Sequence, residues 1–80
     1  MSQEKLSLKG LNFQATKIEE NKNILTITLN RPEKKNALNN VMVNEICYAL
    51  AYAKQERSVR VIIIAAEGDI FCAGADLRRE

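Results

Sequence analysis

Residues 68–77 read GDIFCAGADL and contain no histidine, serine or lysine. What such a loop can contribute to chemistry is its main chain. Gly74 permits a backbone turn, or a close ligand approach, that a Cβ would block, and Ala73 and Ala75 keep the surroundings small. Asp76 followed by LRRE has the pattern of an N-cap and first helical turn. Amide groups presented at a helix N-terminus suit an anionic oxygen. The chemistry open to this loop is therefore the stabilisation of a developing oxyanion by backbone N–H groups. A tight strand-to-helix turn packed with small residues fits the same spacing. A phosphate-binding loop does not. Gly68 and Gly74 have five residues between them, Ala75-Asp76 stands where Lys-Ser/Thr is needed, and G-x-G-x-x-G is absent.

A second segment, RPEKKNALNN at 31–40, carries Arg31, Lys34 and Lys35. These suit phosphates as point charges, and they suit a solvated loop equally well. Asn36 is expected to shape the turn rather than touch a substrate. Glu67 and Asp69 are expected as exposed loop acids and Asp76 as a cap. Neither these nor Glu80 has a position that qualifies it as a general base. Cys72 reads as a small buried residue, because a nucleophilic thiol wants a basic partner and none is near in the sequence. Cys47 and Cys72 lie 25 positions apart in a chain without histidine, so no metal site is expected. The count allows one disulfide, and reduced thiols are the expectation for a cytosolic protein.

These segments need elements to place them. In NILTITLN (23–30), Leu25, Ile27 and Leu29 alternate with Thr26 and Thr28, the period of a strand with one buried face. NFQATKIEE (12–20) precedes it, and ENKN (20–23) between them is turn-forming, which predicts a β-hairpin. Pro32 ends the second strand near Arg31. Met42, Ile46, Ala49, Leu50 and Ala53 then form a helical stripe. With Asn39 or Asn40 as cap, a helix is predicted from about Asn40 to Arg57, carrying Tyr48 and Tyr52 as a packing pair at i, i+4. VRVIIIAA (59–66) lacks alternation, as a strand covered on both faces does. The second hairpin strand, the helix and this last strand make a β–α–β crossover. The candidate loop therefore leaves the C-terminal end of a buried strand, where α/β proteins place ligands. The fold class is α/β.

The bulk properties set limits. The chain has 80 residues, 46% hydrophobic and 28% charged, a globular composition of marginal size for independent stability. A net charge of +2 from 12 basic and 10 acidic residues is too small for a nucleic-acid-binding face. MSQEKLSLKG lacks the apolar core of a secretory signal, and no apolar run approaches a membrane span, so a cytoplasmic protein with no membrane partner is expected. Residues 1–11 are expected as a flexible arm and 12–80 as a partial domain.

NRPEKKNALN, the helix bearing MVNEI, and VRVIIIAAEGDIFCAGADLRRE together resemble the N-terminal part of the crotonase superfamily, the enoyl-CoA hydratases and isomerases. GDIFCAGADLRRE is similar in pattern to methylglutaconyl-CoA hydratase-like members. The resemblance covers residues 12–80 and implies the opening portion of a β-β-α spiral: hairpin, helix, buried strand and the start of the next helix. It implies that the amide of Ala75 is one of two donors to an acyl thioester oxygen. By the same resemblance Ala73, Gly74, Asp76, Leu77 and Arg78 line the coenzyme A channel, and Lys35 and Ala37 border the nucleotide and pantetheine. Coenzyme A then enters as part of the substrate, with no separate cofactor. A homo-trimer or dimer of trimers is implied for the full-length protein. The second donor, a glycine in family members, and the acid–base glutamates are implied beyond residue 80, so the 80-residue chain alone is expected to be inactive. A non-catalytic crotonase-like interaction piece is an alternative. A nucleotide-binding β–α–β module is another, against which the missing glycine fingerprint argues.

Overall fold

A computed structural model of the chain describes residues 6–74. Strand β1 (Thr16–Asn21) and strand β2 (Ile24–Leu29) form the hairpin. Lys22 and Asn23 between them both have positive φ, 51° and 71°. Positive φ at both central residues is the signature of a two-residue hairpin turn whose twist matches the strands. The pairing is antiparallel from Asn21↔Ile24 to Thr16↔Leu29. Beyond a 3₁₀ turn at Pro32–Lys34, helix α1 runs Asn40–Gln55. Asn39 Oδ1 accepts the amide of Met42 at 2.9 Å, the N-cap bond foreseen for one of the two asparagines. The helix ends two residues before the expected Arg57, because Glu56 turns to an extended backbone (φ −91°, ψ 106°).

Strand β3 (Val61–Ala66) then pairs parallel with β2, giving a three-stranded sheet of order β1-β2-β3. The crossover of β2, α1 and β3 is thereby present as the hydrophobic periods require. Leu25, Ile27 and Leu29 are buried under α1, with Met42 and Ala49 pressing down from the helix. Ile46 joins two apolar groups, one around Ala15, Leu29 and Met42, the other around Leu25, Ile27 and Ala49. Each fully buried side chain of this size contributes about 1.5–3 kcal/mol. Three carboxylate contacts pin β1 to the helix: Glu45 accepts from the amides of Gln14 (2.6 Å) and Ala15 (2.9 Å) and from Thr16 Oγ1 (2.8 Å). The segment before β1 is tied to the same helix. Tyr48 donates to the Ser7 carbonyl at 2.8 Å, and the Leu6 amide donates to Gln55 Oε1 at 2.9 Å.

Two expectations need correction. Leu50 is not part of the buried stripe but 41% exposed, since α1 buries the narrower face through Met42, Ile46, Ala49 and Ala53. Strand β3 is not buried on both faces. It is an edge strand among the described residues, and Val61, Ile62, Ile63 and Ile64 are 41–50% exposed. Register puts Ile62 beside Leu25 and Ile64 beside Ile27 on the helix side of the sheet. The helix sits over β1 and β2, so that row is only half covered. A continuous apolar run states that both faces suit apolar contact. It does not state that the contact is made within residues 6–74. The start of a next helix, with Asp76 as its cap, lies outside the described residues.

Candidate functional site

The segment after β2 winds tightly. The amides of Lys34 and Asn36 both donate to the Arg31 carbonyl (2.9 and 2.8 Å), Lys35 donates to Pro32 (3.0 Å), and Ala37 donates to Lys34 (3.0 Å). Lys35 and Asn36 sit at φ 53° and 54° to make this possible. Arg31 is only 9% exposed, and its Nη1 donates to the Ala37 carbonyl at 2.6 Å. Arg31 is thus a brace inside the turn rather than a surface charge offered to phosphate. The sequence showed a cation beside two lysines but not that the chain curls back over it. Lys34 and Lys35 are exposed, and they are the cations this turn presents outward.

The segment after β3 folds onto this turn. Gly68 has φ +87°, and a Cβ built there would stand 3.0 Å from Pro32 Cβ. The glycine is required twice, by backbone conformation and by the proline ring against it. Further on, the Ala73 amide donates to the Lys35 carbonyl at 3.0 Å, and the Leu38 amide donates to the Gly74 carbonyl at 2.8 Å. Gly74 has φ +104° with open space where a Cβ would point, so conformation alone requires it. The two segments singled out in the sequence, 31–40 and 68–74, therefore meet edge to edge. A cleft of about 220 Å³ lies at their junction, lined by Pro32, Lys35, Glu67, Asp69 and Ile70.

The amides of residues 34–38 all donate within the junction. Lys34 and Lys35 therefore offer a ligand anion at this turn their exposed side chains rather than their N–H groups. The Ala73 amide is likewise committed to Lys35, which leaves that residue's exposed surface for ligand contact. Ala37 is half-buried and its carbonyl is taken by Arg31. Cys72 is half-buried against the Ala15, Leu29 and Met42 group, and its Sγ accepts the Gly74 amide at 3.4 Å. Asp69 is exposed, and Glu67 forms an exposed ion pair with Lys17 at 3.5 Å. Ala75, Asp76, Leu77 and Arg78 lie outside the described residues. No group of three or more histidine, cysteine, aspartate or glutamate side chains among the described residues could hold a metal ion.

One residue matters more than sequence reasoning gave it. Asn36 is fully buried, and its side chain bonds to both segments. The signal available was an asparagine in a basic loop, which marks a turn without naming its distant partners.

The family model for enoyl-CoA hydratase/isomerase matches residues 19–80. The chain belongs to the enoyl-CoA hydratase/isomerase family. It is 46% identical over 59 residues to the mouse enoyl-CoA hydratase domain-containing protein 2, mitochondrial, covering 72% of this chain and 20% of that protein. It is 41% identical over 54 residues to a trans-2-decenoyl-[acyl-carrier-protein] isomerase of Streptococcus mutans, covering 68% and 20%. Among solved structures, an enoyl-CoA hydratase/isomerase from Mycobacterium paratuberculosis superposes with a TM-score of 0.80 at 37% identity, over 84% of this chain and 26% of that one. The chain thus spans about a fifth to a quarter of the length of these relatives. The three-stranded sheet and helix match the N-terminal portion of the family fold.

Proposed function

We propose that residues 31–38 and 67–78 build one half of a backbone oxyanion hole and part of a coenzyme A site. The protein carrying them would act on acyl-CoA thioesters as a hydratase or isomerase. The carrying observation is the junction itself: two loops distant in sequence are joined by the Ala73–Lys35 and Leu38–Gly74 hydrogen bonds. This holds the chain in a defined course up to Gly74, immediately before Ala75. An amide at Ala75 would donate to the thioester oxygen. That bond strengthens as charge moves onto oxygen and an enolate forms, so it lowers the barrier rather than merely holding substrate. Hydration of a 2,3-enoyl thioester and a double-bond shift both pass through such an enolate. Hydration is the reaction we assign first. Lys34 and Lys35 would meet the phosphates of coenzyme A as exposed point charges, with Ala37, Ala73, Asp76, Leu77 and Arg78 along the rest of the channel.

The test is direct. The full-length protein carrying this segment is incubated with a short 2-enoyl-CoA, and loss of the conjugated enoyl absorbance is followed while products are separated by mass. Gain of one water supports hydration, and an isobaric product with a moved double bond assigns isomerase chemistry instead. Absence of turnover, with no acyl-CoA binding, refutes the proposal.

A further inference from the structure

Asn36 carries an inference beyond the turn it occupies. It has no solvent-accessible surface. Its Oδ1 accepts the Arg31 amide at 2.7 Å, and its Nδ2 donates to the carbonyls of Glu67 at 2.7 Å and Ile70 at 2.8 Å. The arrangement fixes which way the amide group faces. A flipped side chain would set Oδ1 against two carbonyls and Nδ2 against an N–H. A residue that only shaped its own turn would need the Arg31 bond and the left-handed backbone, which asparagine tolerates. The two Nδ2 bonds instead reach 31 and 34 positions along the chain. They grip the loop after β3 at both sides of Gly68–Asp69, upstream of the main-chain bonds at Ala73 and Gly74.

We propose that Asn36 is the positioning residue of the site: it touches no substrate, and it sets the course of residues 67–74, which lead the chain to the donor proposed at Ala75. This rests on the oxyanion reading of the preceding subsection. Main-chain donors stabilise charge only when held in place before the reaction, and a misplacement of about 1 Å can cost on the order of 100-fold in rate.

Two variants of the full-length protein separate clamp from turn. Asn36→Asp keeps the shape, the acceptor and the tolerance for positive φ, but it places a carboxylate oxygen against two carbonyls. Asn36→Gly keeps the backbone conformation and deletes the clamp. Each is read by kcat and KM on a short 2-enoyl-CoA and by amide hydrogen exchange. The expected result is a kcat lowered on the order of 100-fold in both, with KM changed about threefold or less. Exchange at Ala73 should accelerate while β2 and α1 stay protected. A released loop with unchanged kcat overturns the proposal, and so does unaltered protection at Ala73. Protection lost throughout β2 and α1 in both variants also overturns it, since Asn36 would then be a residue of the fold at large. Should the wild-type protein turn over no enoyl-CoA, the proposed function fails, and the exchange measurement still decides whether Asn36 clamps the loop.

Discussion

Gly68→Ala probes the contact on which the junction depends. Two separate costs are expected. An L-residue at φ +87° is held in left-handed space, a cost of about 1–2 kcal/mol. The new Cβ would also lie 3.0 Å from Pro32 Cβ, well inside the roughly 3.5–4.0 Å optimum for carbon pairs. The proline ring is stiff, so this overlap should add about 1 kcal/mol or more. Together they predict about 2–3 kcal/mol against closing the junction, or roughly 30- to 150-fold faster opening. The assay is native-state amide exchange at Asn36 and Ala73, whose N–H groups donate to Arg31 and Lys35. A double-mutant cycle then divides the two costs. In a Pro32→Gly background the overlap disappears and only the backbone cost remains, so a coupling of about 1 kcal/mol is expected. Coupling below about 0.3 kcal/mol would show that the proline contact is not what excludes a side chain. A Gly68→Ala effect below about 0.5 kcal/mol would refute the backbone argument as well.

Three further outcomes follow from other parts of the molecule. The exposed apolar edge of β3 should make the 80-residue chain self-associate, and Ile63→Lys should reduce its size in light scattering, whereas identical sizes would remove β3 from the contact. Changing Lys34 and Lys35 together to Glu should weaken coenzyme A binding more at low salt than at high salt, and equal affinities at low salt would take both lysines out of the site. Tyr52 donates to Glu20, and that bond, with burial and the charges of Glu20 and Glu56, pushes the phenol up to about 12 from 10.0. A raised folded-state pKa adds stability that is complete below pH 10 and is lost as pH climbs towards 12, so Tyr52→Phe should flatten the alkaline fall in stability. Ultraviolet titration should show a late phenol in the wild type that is missing from the variant.

Much of the scaffold was legible because it follows from periodicity. Alternation at Leu25, Ile27 and Leu29, the stripe of Met42, Ile46, Ala49 and Ala53, and a cap at one of Asn39 and Asn40 each rest on local geometry that neighbouring residues decide. The bounds of the strands were less so: β1 begins at Thr16 rather than Asn12, where Glu45 of the helix captures the chain. What local pattern could not supply were the long-range partners. Arg31 was read as a charge for phosphate because its carbonyl acceptor, Ala37, becomes a neighbour only after the 3₁₀ turn closes. Asn36 looked like a turn residue because Glu67 and Ile70 reach it only once β3 lies beside β2. The exposure of β3 depends on what packs against it, which the apolarity of its own side chains does not specify.

The most direct measurement concerns Ala75 in the full-length protein. Ala75→Gly keeps the N–H and adds only backbone freedom, so its activity should fall modestly. Ala75→Pro deletes the donor, and loss of one oxyanion donor costs about 100- to 1000-fold in rate, roughly 2.7–4 kcal/mol. Proline also restricts the preceding residue, Gly74, whose φ is +104°. The comparison therefore requires a variant with wild-type assembly and circular dichroism. With that control in hand, kcat should fall further than KM rises, because the bond gains strength as the enolate forms. A properly folded Ala75→Pro variant that turns over within a few-fold of wild type would contradict the oxyanion role and leave the loop an ordinary glycine turn.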